Sequence, residues 1–316
     1  MIDISCIIPV KDESDQKLQD LIVSIRTQEY PQDRIEIIPV TEGDSEEAKG
    51  IGIRKARGKI CAMFCTDNLL VDRHEFASIK SVFDHMPMAA GVYTKYYFRI
   101  GNDNSLNRYF SLMGNNDPVI WFLGKADRRP HYEYTPNQCM TVMDCKDKIP
   151  SFGDNGFYFR RDAVASSDTQ RYYPMDVCVD MIKAGWTTFV RVDSTGVLHK
   201  TTDGNLFNFL KKRYVYARDL YCYRYDRRWK AVETGADYWK LALFVLATIT
   251  VVPTLCVSLR GYAVVKDKAW FWHWPVCVGF LITYGALACR NIVKNRTFRF
   301  ASPARDQKTL KNAKTA

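Results

Sequence analysis

Over the first hundred residues, short apolar runs rich in β-branched side chains alternate with polar stretches whose apolar positions recur every three or four residues. ISCIIPV, IEIIPV and KICAMFC have the length and composition of buried strands, and Leu18 to Gln28 and Ser45 to Arg57 between them carry helical spacing. Strand, helix, strand, helix, strand in that order predicts a parallel sheet with covering helices, a Rossmann-like α/β half-domain. Residues 83–175 depart from this pattern. They are rich in Tyr, Asn, Pro and Gly, as in GNDNSLNRYF and RRPHYEYTPNQ, which predicts long functional loops with a few strands.

From Leu206 to Lys230, Leu and aromatic residues interleave with Lys and Arg at near-helical spacing. A basic, Tyr-rich amphipathic helix of this kind fits a lipid headgroup boundary, and equally an ordinary surface helix over a core. Leu241 to Leu259 and Ala269 to Cys289 contain no Asp, Glu, Lys or Arg, so each approaches the roughly 20 apolar residues that cross a bilayer. Trp239 and the WFWHW run at 270–274 have the character of interfacial anchors. Arg227, Arg228, Lys230 and Lys240 before the apolar pair, and Arg290, Lys294, Arg296 and Arg299 after it, predict cytoplasmic flanks. The expected organisation is a cytosolic catalytic domain over 1–204, an amphipathic interfacial region over 205–236, two membrane helices over 237–294 and a basic cytoplasmic tail over 295–316. Pro253 and Pro275 keep a kinked or re-entrant arrangement open.

Composition narrows the class. A 47% hydrophobic, 13% aromatic chain of 316 residues is not disordered, and its length accommodates one sizeable α/β domain with an appendage. A mean hydropathy of −0.25 confines any membrane part to local segments. The net charge of +10 suits nucleic acid, anionic lipid or a phosphorylated substrate. No RNA-binding signature accompanies the basic stretch, so nucleic acid is set aside. The ten cysteines form no C-x-x-C pair, which predicts reduced thiols and no structural metal, and MIDISCIIPV lacks the basic and long apolar regions of a secretory signal.

Asp67, in MFCTDNLLVD, follows the third predicted strand, where open α/β sheets place ligand groups, although an Asp there also caps helices and turns. Asp154, Asn155 and Gly156 read as a turn leading into a strand, and Asp176 as an acidic residue in a helix first turn.

In their order, these segments resemble the family-two inverting glycosyltransferases of the nucleotide-sugar-binding type, over roughly residues 2 to 220. ISCIIPVKDE is similar to the opening strand of that family, and EEAKGIGIRKARGKICAMFCTDN to its diphosphate-side helix and metal-binding strand end. SFGDNGFYFRRD resembles its glycine-containing loop, RYYPMDVCVDMIKAGW its acidic helix start, and TFVRVDSTGVLHKTT the strand whose His completes the metal site. The resemblance implies a mixed sheet of the GT-A type. Pro9, Glu13, Lys49, Thr66 and Asp67 would hold the nucleotide sugar. Asp154, Asn155 and Gly156 would lie beside sugar or acceptor. Asp67 and His199 would hold Mn²⁺ or Mg²⁺, and Asp176 would be the general base. Cys65 stands at the first carboxylate of the D-x-D motif and Met175 where an acid often precedes the base. Lys212, Val215 and Tyr216 replace the Gln-x-x-Arg-Trp helix of processive synthases, which implies single-sugar addition.

The expected function is therefore a membrane-bound transferase moving a sugar to a lipid-linked glycan or polyprenyl phosphate, with homo-oligomerisation left open. Two alternatives stand beside it. A non-catalytic membrane-anchored binding or scaffold protein fits Cys65 and Met175. A nucleotidyltransferase would want a glycine-rich basic loop after the first strand, and KDESDQK is acidic and Gly-free.

Overall fold

The computed structural model describes residues 1–133, 139–153, 155–218 and 227–295. Asp154, part of the predicted amphipathic segment and most of the basic tail lie outside them.

Strand β1 (Ile4–Pro9) is buried on both faces, as its uninterrupted apolar run requires, and pairs in parallel with β2 (Ile35–Val40) and β3 (Ile60–Met63). Helix α1 (Gln16–Arg26), capped by Asp15, and α2 (Ser45–Lys55) are the crossovers. A capping box fixes the start of α2: the Asp44 carboxylate accepts from its third backbone N–H, and the Glu47 side chain reaches back to the cap. The predicted half-domain is present.

Beyond it the sheet becomes mixed. Strands β4 (Asn68–Leu70), β5 (Ala89–Tyr97), β6 (Met140–Asp144), β7 (Phe157–Arg160) and β8 (Thr188–His199) complete eight strands among the described residues, in the order β2-β1-β3-β7-β5-β8-β4 with β6 also on β8. Strand β7 runs antiparallel between β3 and β5, and β8 runs parallel to β5 and antiparallel to β4. Helix α3 (Glu75–His85) packs its Phe76, Ile79 and Phe83 into the apolar layer shared with β1, whereas α6 (Arg161–Val164) and α7 (Pro174–Lys183) cover the opposite face with Val164, Val177 and Met181.

A third apolar cluster joins α4 (Ser105–Met113) and α5 (Pro118–Phe122), from the loop-rich region, to α8 (Leu206–Tyr216), α9 (Gly235–Ile249) and α11 (His273–Asn295). Two predicted elements differ here. Of the predicted amphipathic segment, Leu206–Tyr216 forms α8, residues 227–230 are not helical and residues 219–226 lie outside the described residues; Phe209 of α8 is buried against Phe110 and Phe280. The apolar stretch Leu241 to Leu259 is not one helix: α9 and α10 (Val252–Val264) meet at an 83° bend, where Val251 adopts φ +64° and Pro253 lacks the N–H that would continue the ladder. Among the described residues, Lys268–Arg290 is the one unbroken stretch long and apolar enough to cross a membrane.

Candidate active site

Pairing of β4 with β8 places Asn68 opposite His199, and this register brings Asp67 to the histidine across 132 residues of chain. Asp67 Oδ2 lies 3.5 Å from His199 Nε2, and the Lys200 N–H donates to the Asp67 carbonyl at 2.9 Å. His199 is further oriented by Thr201 Oγ1 at 3.3 Å from Nδ1 and by the Tyr97 ring.

The fully buried Asn68 ties this pair to the glycine loop. Its Nδ2 donates to Asp67 Oδ1 at 3.2 Å and to Asn155 Oδ1 at 3.0 Å, while its Oδ1 accepts from the Cys65 N–H at 3.1 Å. Arg128 braces the loop from behind, donating to the Asn155 carbonyl at 2.7 Å and to the Thr94 carbonyl of β5 at 2.7 Å, with its guanidinium over the Tyr97 ring. Gly156 is required at its place: φ is +65°, and a Cβ would lie 2.4 Å from Val197 Cγ2.

These groups open into a cleft of about 390 Å³, within the range of small-molecule sites. Lys49, Cys65, Asp67, Asn155 and His199 all line it, so the structure brings together five positions from four separate segments of the chain. Lys49 is buried on α2, its Nζ 3.3 Å from Glu46 and facing the Tyr172 ring. Arg213 and Tyr216 of α8 form another part of the wall.

Not every expected residue arrives there. Pro9 is engaged in the ladder with Val40, Glu13 is exposed in the turn before α1, and neither these nor Thr66 lines the cleft. Asp176, expected as the general base, does not line the cleft. Its carboxylate is 1% exposed and accepts from Arg227 Nε at 2.7 Å and from the Trp229 N–H at 2.9 Å. Met175 takes the cleft-facing position in its stead, because the next residue of a helix turns away by about 100°. Asp176 thereby clamps the chain entering α9 onto α7.

Two carboxylates not singled out from the sequence do reach the cleft. Asp117 caps α5 through the Val119 and Ile120 N–H groups and accepts from the Tyr284 hydroxyl at 2.5 Å. Asp127 accepts from the Arg128 N–H at 2.9 Å and from its Nη1 at 3.0 Å. Burial pushes the Asp127 carboxyl above the usual carboxylate range, the Arg128 charge opposing this in part. Both lie in the loop-rich stretch where periodicity gives no element; the adjacent acid and arginines in KADRR were the one local signal.

As metal ligands, Asp67 and His199 supply an oxygen and a nitrogen, and no group of three or more His, Cys, Asp or Glu side chains suited to a cation occurs among the described residues. Two protein ligands suffice where a cation is completed by substrate phosphates and water, so the pair fits a cation that arrives with its diphosphate.

No protein-family model and no curated protein matches the sequence. Solved structures that resemble the chain include a mannosyltransferase from Pyrobaculum calidifontis in complex with GDP-Man and Mn²⁺, at 13% identity and a TM-score of 0.48, covering 93% of this chain and 88% of that one. S. aureus TarS 1–349 in complex with UDP is similar at 9% identity and 0.42, over 90% and 91% of the two chains. A197 from STIV is similar at 10% identity and 0.38, over 63% and 85%. Scores below 0.5 leave the functional reading to rest on the cleft itself.

Proposed function

We propose that the chain is a glycosyltransferase that binds a nucleoside-diphosphate sugar in the cleft between β3, β8 and α2 and transfers the sugar to an acceptor entering along α8 and α11. The observation that carries this reading is the meeting of Asp67 and His199 at 3.5 Å, in a cleft also lined by Lys49 and Asn155. Asp67 and His199 would hold Mn²⁺ or Mg²⁺, which when bound neutralises diphosphate charge and eases departure of the nucleotide. Lys49 adds a cation on the diphosphate side. Asn155, fixed by Asn68, orients sugar hydroxyls.

Asp127 replaces Asp176 as the proposed base. An acceptor hydroxyl would give its proton to the Asp127 carboxylate as its oxygen bonds the anomeric carbon. The bond from that carbon to the phosphate oxygen breaks, the nucleoside diphosphate takes the electron pair, and a single displacement inverts the centre. A carboxyl whose pKa is raised by burial is the better proton acceptor. A lipid-linked acceptor is supported by the apolar helices beside the cleft, where Tyr284 of α11 bonds cleft-lining Asp117. An acceptor phosphate would already be ionised and need no base.

The test is calorimetry of the full chain with UDP and GDP, with and without Mn²⁺, alongside transfer from a panel of labelled nucleotide sugars into an organic-soluble product. Metal-dependent binding and label in the lipid phase are expected; no binding of either nucleotide under any condition overturns the proposal. The second reading, a binding module without turnover, is favoured by Cys65 in the cleft at a metal-carboxylate position. It predicts binding without labelled product.

A further inference from the structure

We propose that α9, α10 and the connection to α11 form a one-sided membrane wedge: the chain enters and leaves a single leaflet on the face that carries the catalytic domain, and does not cross. This holds whatever reaction the cleft performs.

Both ends of the α9–α10 pair are fastened to the globular part. At its start Asp237 is 2.9 Å from Lys125 Nζ, and Lys240 donates to the Leu123 carbonyl at 3.0 Å. At its end Asp267 is 2.8 Å from Arg99 and 3.1 Å from Arg108. Gly261 lets α10 close on the buried Trp270, whose ring lies 2.3 Å from where a Cβ would be. A segment anchored at both ends to one domain has its ends on one side of a bilayer. Its 15-residue and 13-residue arms reach roughly 22 and 20 Å, each short of the roughly 30 Å hydrocarbon core.

The long helix does not offer itself as a span either. Along α11, His273 bonds the Tyr109 hydroxyl at 2.9 Å, Gly279 packs on Leu210, and Tyr284 bonds Asp117. Arg290 reaches the Tyr214 hydroxyl at 3.2 Å. One flank of α11 is thus a wall of the domain, and lipid cannot surround it.

The elbow is built for an apolar medium. Leu246, Ile249, Val252 and Leu255 are exposed around it, although large apolar groups in such a row belong out of water. Its polar side chains turn inward: the Thr248, Thr250 and Thr254 hydroxyls donate back to the Phe244, Leu246 and Val251 carbonyls, and Trp274 Nε1 donates to the Thr248 carbonyl beside the break. Hydroxyls satisfied within their own turn leave the elbow without outward polar demands, which suits an apolar medium.

Charge selects the leaflet as the occupant. Between 235 and 290 the acids are Asp237 and Asp267, both buried against domain cations, while Arg260, Lys266 and Lys268 are exposed. Over this segment the exposed charges are thus cationic, and Trp239, Phe271 and Trp274 are exposed in the same segment, a composition that suits anionic headgroups.

The experiment uses sealed membrane vesicles from cells expressing full-length protein, a membrane-impermeant maleimide and peptide mapping. Cys139, exposed on the domain, and Lys266→Cys are expected to react from the same side without detergent. Reaction of residue 266 only after permeabilisation, while Cys139 reacts before it, would show a spanning hairpin and overturn the proposal. In parallel, purified protein is floated with phosphatidylcholine–phosphatidylglycerol vesicles. The variant Leu246→Ser/Ile249→Ser/Val252→Ser/Leu255→Ser should fold with unchanged melting and lose more than about tenfold in partitioning. Wild-type protein that stays off these vesicles, whether monomeric or self-associated through the patch, equally overturns it.

Discussion

Replacing Asp176 by Asn tests whether this carboxylate belongs to the chemistry or to the scaffold. In the folded chain it is 1% exposed and shared between Arg227 Nε at 2.7 Å and the Trp229 N–H at 2.9 Å. Removing one partner of a buried ion pair costs about 3–5 kcal/mol, because the remaining charge is left without compensation. Asn keeps an oxygen for the Trp229 N–H, so a loss near the lower end, about 3 kcal/mol, is expected. At roughly 2–4 °C per kcal/mol for large domains, melting should fall by roughly 6–12 °C. Arg227→Met added to Asp176→Asn should recover part of the loss, since the buried guanidinium that has lost its carboxylate is then gone. Circular dichroism gives the melting temperature, and transfer assayed well below it gives the activity. A scaffold role requires lowered melting with transfer substantially retained in the folded fraction. Unchanged melting with transfer abolished would refute the reasoning and return Asp176 to the reaction.

Asp127→Asn should leave nucleotide binding measurable by calorimetry while lowering transfer to a hydroxyl acceptor by about 10²–10⁴-fold. Because burial raises the Asp127 carboxyl, the acid limb of the wild-type rate profile should lie above the ordinary Asp value of about 3.9, activity falling as the pH drops through it. His199→Ala and Asp67→Asn should each weaken Mn²⁺-dependent UDP or GDP binding while leaving the metal-independent component, read by titration with and without chelator. Gly156→Ala places a methyl 2.4 Å from Val197 Cγ2 at φ +65° and should cost about 2–4 kcal/mol in urea unfolding. Burial works against ionisation of Asp237, but the Lys125 ammonium and the Thr234 and Glu233 N–H groups outweigh it and lower its pKa to about 2. A depressed carboxylate stabilises the fold above its unfolded value of about 3.9 and loses that contribution toward pH 2, so proteolysis at the start of α9 should rise across that window.

The sequence by itself determined the half-domain, because strands buried on both faces must be continuously apolar and amphipathic crossovers must repeat every three to four residues. β1, α2 and β3 are local consequences of those rules; Asp67 stands at a strand end, where an Asp also caps turns, and only the order of motifs singled it out. His199 was legible through the order of motifs alone; only the β4–β8 register puts its ring against Asp67. The orientation of Asp176 was not legible, since adjacent residues in a helix first turn point about 100° apart and tertiary packing chooses which faces the cleft. Asp127 and Arg128 were hidden because their segment has no periodicity and is held by contacts to Thr94 and Asn155 from distant strands. The two apolar stretches were equally plain in the sequence. What the sequence could not show is that both ends of the α9–α10 pair are tied back to the domain, through the ion pairs of Asp237 and Asp267 to Lys125, Arg99 and Arg108, which join points far apart along the chain. Composition records how apolar a segment is; the contacts at its two ends fix where it can go.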